Sequence, residues 1–451
     1  MKHLLTLLII FTSINVYSQA NDEIKYRRSS LHLMMMDDAK LPEKDIILNT
    51  FNNYPFPEKY NNHKIDIIKI PNFLTDDAEE AKEEQKAQKK ADKENDVKLT
   101  DEQKERRKLI KSLKGADKTI EKYFNENKIA NKMVAKWFNM QANGTMDFDL
   151  IGERGQYDAT ALDVKKADMM SKSINTQLQD AGVELIDKSF VIINKFRFIS
   201  NEIAAAIAYE IAKTTLANMK AENKMQQTLK DVFAKKSKQL YEKARKGYSV
   251  STQAILYKLN WSDSVQSIFF NEYFLPADYI STLNDSLRKI EIDKFNNTDL
   301  FQLELIGMEK QTIRVMNLTS EDLNKQQIVG EATRRTMNKV YAKLQKEYDV
   351  FKPRMPLLTA SKKDCTAKIG MKEGLEGGEK FEVLEKDVDK DGLTIYKKKG
   401  IIKVNKKQVW DNQFYASKPP EKESKKGPIT ATGFKGCKNS FYKGMLIKQI
   451  K

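Results

Sequence analysis

Ser189-Phe190-Val191-Ile192-Ile193-Asn194-Lys195-Phe196-Arg197-Phe198 is β-branched and aromatic almost throughout, the composition of a strand. The segments on its C-terminal side decide the class. Residues 202–246 read as one very long helix or two, apolar from Ile203 to Ala212 and heavily charged afterwards. Ser249–Trp261 then alternates as a strand, Ser262-Asp263-Ser264 turns, and Val265–Phe274 reads as its antiparallel return. A helix near Tyr279–Phe295, a strand across Phe301–Val315 and a helix from Asn324 to Tyr348 come next. Strands interleaved with long helices, with one hairpin among them, predict an α+β domain with helices packed on a mixed sheet.

Upstream, Tyr26-Arg27-Arg28-Ser29-Ser30-Leu31-His32-Leu33-Met34-Met35-Met36 reads as a short buried strand approached by polar residues. Leu41-Pro42-Glu43 opens a helix that Tyr54-Pro55-Phe56-Pro57 breaks, and Ile65–Ile70 is a further strand ended by Pro71. From Thr75 the chain is almost all Asp, Glu, Lys, Gln and Ala, without aromatics. Such a stretch is either disordered or a solvated helix supported by charge pairs. Helical spacing returns with Tyr123, Ile129, Met133, Trp137 and Phe138; Met146–Ile151 is a strand candidate. Ala167, Met170, Ile174, Leu178 and Ala181 form one stripe of an amphipathic helix ended near Gly182.

Pro353 and Pro356 mark a second boundary, beyond which short strands alternate with Gly-rich turns. Lys380–Glu385, Leu393–Lys398, Ile401–Val404, Ile429–Phe434 and Met445–Ile450 suggest a small barrel or sandwich. The expected division is 1–20, 21–74, 75–116 (the charged insert), 117–352 (the remainder of the α+β domain) and 360–451 (a basic β-barrel module). A chain of 451 residues exceeds the roughly 250–300 at which single cores stop growing, so more than one domain fits its length.

Met1-Lys2-His3, the apolar run Leu4–Ile14 and the small and polar residues through Ala20 have the layout of a signal peptide. The run is too short to cross a bilayer permanently, so export to the periplasm or outer-membrane periphery, with no transmembrane segment after cleavage, is expected. Formal charge is +16, and it is uneven: residues 361–451 hold 22 Lys, no Arg and 12 acids. Those lysines either keep a small β-module soluble and guard its strand edges or contact an anionic surface. Nucleic acid is not an expected partner, because Arg, the bidentate reader of guanine and phosphate, is missing from this region.

Catalytic signals are sparse. After signal removal only His32 and His63 remain; His32 sits in an apolar strand as a core or edge residue, and His63 reads as a loop residue without a nearby partner. No GxSxG elbow, HExxH, Walker loop or GxGxxG occurs, so no catalytic residue and no cofactor is assigned. Asp387-Val388-Asp389-Lys390-Asp391-Gly392 opens like a calcium loop, with candidate ligands Asp387, Asp389 and Asp391. Its twelfth position is Lys398 rather than Glu, and an Asp-Gly hairpin turn explains the same residues without an ion. Cys365 and Cys437 are an even pair in an exported chain, which favours a disulfide worth roughly 4 kcal/mol. Arg334, Arg335, Lys339 and Lys343 place cations on one broad face of the last long helix, an ordinary solvated face.

Tyr26–Leu31, Arg154-Gly155-Gln156-Tyr157-Asp158-Ala159, Asp180–Ile186, Ala367–Gly374, Val409-Trp410-Asp411-Asn412 and Phe441–Ile447 resemble stretches of uncharacterised exported proteins of Bacteroidota, a resemblance that implies no activity. The last module also resembles the SH3-like barrels of flagellar assembly protein T, through a Gly-rich turn, Phe381-Glu382-Val383-Leu384-Glu385, and Gly400 followed by Ile401–Val404. That similarity implies a barrel. Residues 146–198 are distantly similar to periplasmic α/β modules of envelope-assembly proteins. The expected function is a non-enzymatic, envelope-associated binding or structural protein whose basic module docks an envelope protein or an anionic surface. The alternative is a carboxylate-dependent hydrolase of envelope or external polymers.

Overall fold

A computed structural model describes residues 27, 29–39, 41, 43–73, 113, 116–157, 185–315, 324–362, 364–388, 394–413 and 429–450. The signal-like residues 1–20, nearly all of the insert 75–116, the stripe Ala167–Ala181 and the calcium candidates Asp389 and Asp391 lie outside the described residues.

The sheet of the α+β domain is built from β1 (Ser30–Asp37), β2 (Asn61–Asn62), β3 (Lys69–Pro71), β4 (Ser189–Ser200), β5 (Tyr248–Leu259) and β6 (Leu303–Val315). Its order is β2-β1-β4-β5-β6, with β3 also on β1. β1 runs parallel to β2, β3 and β4, whereas β4, β5 and β6 are antiparallel, so the sheet is mixed. The first six residues of β4 are all buried, because both faces are covered.

Period-two geometry sorts the strands into two cores. Leu31 and Met35 of β1, Phe190 and Ile192 of β4, and Ala254 and Leu256 of β5 face one side. There they meet α1 (Lys44–Asn52) and the long helix Lys325–Glu347 through Ile47, Phe51, Val329, Met337, Val340 and Leu344. Met34, Met36, Val191, Ile193, Ile255 and Tyr257 face the other side. They are covered by α2 (Ala116–Glu126), α3 (Ile129–Trp137), α4 (Asp149–Tyr157) and three helices between β5 and β6. The result is helices on both faces of one sheet.

Between β4 and β5 lie α5 (Glu202–Asn218) and α6 (Lys224–Ala244). Then come α7 (Asp263–Glu272), α8 (Ala277–Thr282) and α9 (Asp285–Asn297); the helix after β6 is α10. α7 corrects the expected β-return over Val265–Phe274. Ser262 accepts a hydrogen bond from the Val265 amide at 3.3 Å, so Ser262-Asp263-Ser264 is a helix cap and not a turn between strands. Met146–Ile151 is not a strand either, since α4 begins at Asp149. α10 opens with a capping box in which Asn324 and Gln327 satisfy each other's backbone amides, both at 2.9 Å.

The C-terminal module is a closed barrel of β7 (Arg354–Ala360), β8 (Cys365–Ala367), β9 (Lys380–Val388), β10 (Thr394–Val404), β11 (Thr432–Lys435) and β12 (Leu446–Gln449), ordered β10-β11-β8-β7-β12-β9. Every pairing in it is antiparallel. Leu357, Phe381, Val383, Ile402, Phe434 and Ile447 fill its interior. Cys365 and Cys437 form a disulfide with Cα atoms 6.2 Å apart. The barrel adjoins the end of α10, where Lys448 of β12 pairs with Asp349 at 2.6 Å. That hydrogen bond, opposed by partial burial, holds the Asp349 carboxyl below the usual carboxylate range.

Candidate functional site

Both histidines of the described chain are buried on one side of β1. His32 lies within β1, with Nε2 2.8 Å from the Ile67 carbonyl and Nδ1 accepting from the Ile65 amide at 3.4 Å. Burial, partly offset by that carbonyl, lowers its pKa to about 4. His63 departs from its reading as an unpartnered loop residue, because it follows β2 directly into the core. Its ring stacks on Trp137 at 4.9 Å. Nε2 is 2.9 Å from the Met133 carbonyl, and Nδ1 is 3.0 Å from the Arg154 guanidinium. A guanidinium only donates, so Nδ1 is the acceptor and Nε2 carries the proton. Burial first, and the Arg154 charge second, hold His63 well below its ordinary pKa.

Arg154, on α4, is the hub of this cluster. It also donates to Ser30 Oγ at 3.0 Å and to the Asn62 carbonyl at 3.1 Å, and its guanidinium carbon lies 4.5 Å over the Trp137 ring. Trp137 in turn donates to Ser189 Oγ at 2.8 Å. Five separate segments are thereby tied at the start of the sheet. Both imidazoles are neutral, with each ring nitrogen engaged and neither open to solvent. Chemically the cluster is a clamp, and it offers no proton acceptor to a substrate.

The remaining sequence candidates fall elsewhere. Asp387 sits near the end of β9 and pairs with Lys397 at 2.5 Å. The antiparallel register of β9 and β10 continues to Val388 opposite Thr394. Arg335 pairs with buried Glu331 at 2.7 Å and Lys343 with buried Glu309 at 3.1 Å, so that part of the basic face of α10 anchors inner carboxylates. Among the described residues no group of three His, Cys, Asp or Glu is placed to hold a metal.

The barrel carries a feature that sequence reading missed. Lys403 of β10 lies directly opposite Lys380 of β9 on one side and Lys435 of β11 on the other. All three are exposed, and none forms an ion pair among the described residues. Adjacent strands are about 4.8 Å apart, so the row concentrates three positive charges on one outer face. Like charges directly opposite weaken a strand pair. Several other barrel lysines are neutralised locally: Lys397 pairs with Asp387, Lys398 with Glu382 and Lys399 with Glu385. A closed barrel also has no free edges for lysines to guard. Only the strand register reveals this row, because the three residues are separated by long intervals in sequence.

A second feature is the arm formed by α5 and α6. The helices meet through a half-buried face that includes a stacked Tyr209–Tyr241 pair at 4.9 Å. A groove of about 260 Å³ beside that pair is lined by Ala204, Ala208, Leu240 and Ala244. Among the described residues no helix is long and apolar enough to cross a membrane. Compared with known proteins, the chain matches no protein-family model and no curated sequence.

Proposed function

We propose that this is an exported, envelope-associated binding or structural protein without catalytic chemistry of its own, whose C-terminal barrel docks an anionic envelope component. The observation that carries the reading is the row Lys380–Lys403–Lys435. Three uncompensated like charges held in register cost stability, and an anionic ligand such as a phosphate- or carboxylate-bearing polymer would relieve that cost. The Cys365–Cys437 disulfide is compatible with an oxidising compartment. The engagement of both histidines in and beside the Arg154 clamp removes the side chains best suited to acid–base work near neutral pH.

The test is retention on phosphocellulose at low salt, with the wild type compared to Lys380→Gln/Lys403→Gln/Lys435→Gln. The reading expects salt-sensitive retention of the wild type and early elution of the variant with an unchanged melting curve. Equal retention of both proteins would reject the barrel as the docking surface. Cell fractionation tests the location, and mature protein found only in the cytosol would reject export.

A further inference from the structure

The arm is the part of the molecule whose surface the fold does not account for. Ile203, Ile207 and Ile211 lie four residues apart along α5 and are 75%, 58% and 63% exposed. On α6, Met225, Leu229, Phe233 and Leu240 are spaced by four, four and seven residues, so they share one face, and each is about half exposed or more. None of these side chains belongs to either core of the α+β domain. An isolated exposed apolar residue is ordinary, but apolar stripes on two neighbouring helices are not.

The charge pattern says what covers them. Residues 201–247 hold ten Lys and Arg against five Asp and Glu, and α6 alone has six Lys against two acids. Lys224, Lys235 and Lys238 project away from the apolar stripe of α6, Lys243 falls at its margin, and Lys236 interrupts it between Phe233 and Leu240. A basic helix with Met, Leu and Phe on the opposite side suits the boundary between anionic headgroups and acyl chains. Marginal lysines reach outward to phosphates while their stems stay in the apolar layer. A second copy of this chain fits worse, because it would bring two net-positive arms together. Neither helix is long and apolar enough to span a bilayer, so only a position at its surface is open to them there.

We propose that the α5–α6 arm is a membrane-surface element that inserts its aliphatic and aromatic stripes into the interface of an anionic lipid bilayer. This goes beyond the docking role given to the barrel and does not require it. The arm brings the sheet and barrel to the membrane surface, and the anionic lipid supplies both charge and apolar contact.

The test is co-sedimentation of the full chain with vesicles of phosphatidylcholine alone or mixed with phosphatidylglycerol. Binding is expected only to the mixed vesicles, with at least ~10-fold weakening in Leu229→Glu/Phe233→Glu, which removes two inserting side chains. The barrel variant Lys380→Gln/Lys403→Gln/Lys435→Gln should retain vesicle binding, which separates this proposal from the barrel reading. The milder Ile207→Ser/Ile211→Ser variant should weaken binding too, and circular dichroism checks that each variant is folded. Absence of binding to mixed vesicles, or binding unchanged in both arm variants, would overturn the proposal. So would a concentration-dependent dimer in analytical ultracentrifugation that the arm variants abolish, because the stripes would then belong to a second copy.

Discussion

The ring of Tyr348 lies across Gly307 in β6, with its hydroxyl 3.1 Å from the Met308 carbonyl and 3.3 Å from Glu309 Oε1. A Cβ at residue 307 would overlap the ring itself, so glycine is required here by close approach and not by backbone angle. The contact closes α10 against the sheet just before the chain enters the barrel. Gly307→Ala is therefore expected to destabilise the protein by about 1–3 kcal/mol, the usual range for overpacking. Urea unfolding measures it, and adding Tyr348→Ala should give a double variant less destabilised than the sum of the two singles. Strict additivity would show that the two residues do not constrain each other.

The histidines make stability depend on acidity in a defined direction. An unfolded histidine titrates near 6.5, whereas folded His32 titrates at about 4 and His63 is also held low. Between those values the unfolded chain binds more protons than the folded one, so stability falls as pH drops from about 6.5 towards 4 and levels off above about 7. For His32 the full effect is of order 3 kcal/mol. Comparing urea midpoints of wild type and His32→Gln across this window isolates it from carboxylate titration. The variant should show a shallower decline, and parallel curves would refute the assignment.

Much of the architecture was legible because local signals agreed with tertiary context. The helix expected from Asn324 to Tyr348 stands as α10, and the alternation read over Ser249–Trp261 survives as β5, Tyr248–Leu259. The reading failed where one signal serves two structures. Ser262-Asp263-Ser264 is equally a turn or a helix cap, and only the burial of Phe269 among Phe138, Trp261 and Phe301 selects the helix. The candidate sites were less legible still. His63 meets Arg154 because β2 and α4 converge on β1, and the lysine row exists only through strand register; neither relation has a local signature. Exposure was also invisible, since Ile203–Ala212 reads only as the apolar start of a long helix, and yet Ile203, Ile207 and Ile211 are exposed.

The disulfide encloses most of the barrel, joining residues 72 apart. On the chain-entropy model that loop confines the unfolded state by about 4 kcal/mol. Reducing it is expected to lower the barrel's melting temperature while leaving the α+β domain's transition in place, because Cys365 and Cys437 pack only within the barrel core. Differential scanning calorimetry with and without a strong reductant reads both transitions. A shift of the α+β transition equal to that of the barrel would mean that the two unfold as one unit.

The arm is attached to the sheet in a way that permits its clean removal. β4 and β5 stay in register to the last pair, Ser200 opposite Tyr248, and the Asn201 amide donates to the Gly247 carbonyl at 2.9 Å. Deleting residues 202–246 joins Asn201 to Gly247 and leaves Ser200-Asn201-Gly247-Tyr248, a two-residue Asn-Gly loop between paired strand residues. That dipeptide favours the type I′ turn whose twist matches an antiparallel pair. Only Ala205 of the two helices is fully buried, so the deletion removes little core surface. The shortened protein should therefore fold, with a melting temperature within a few degrees of the parent and a loss of helical signal matching two helices. A loss of cooperative unfolding would show instead that α5 and α6 hold β4 and β5 together, and would make the arm part of the scaffold.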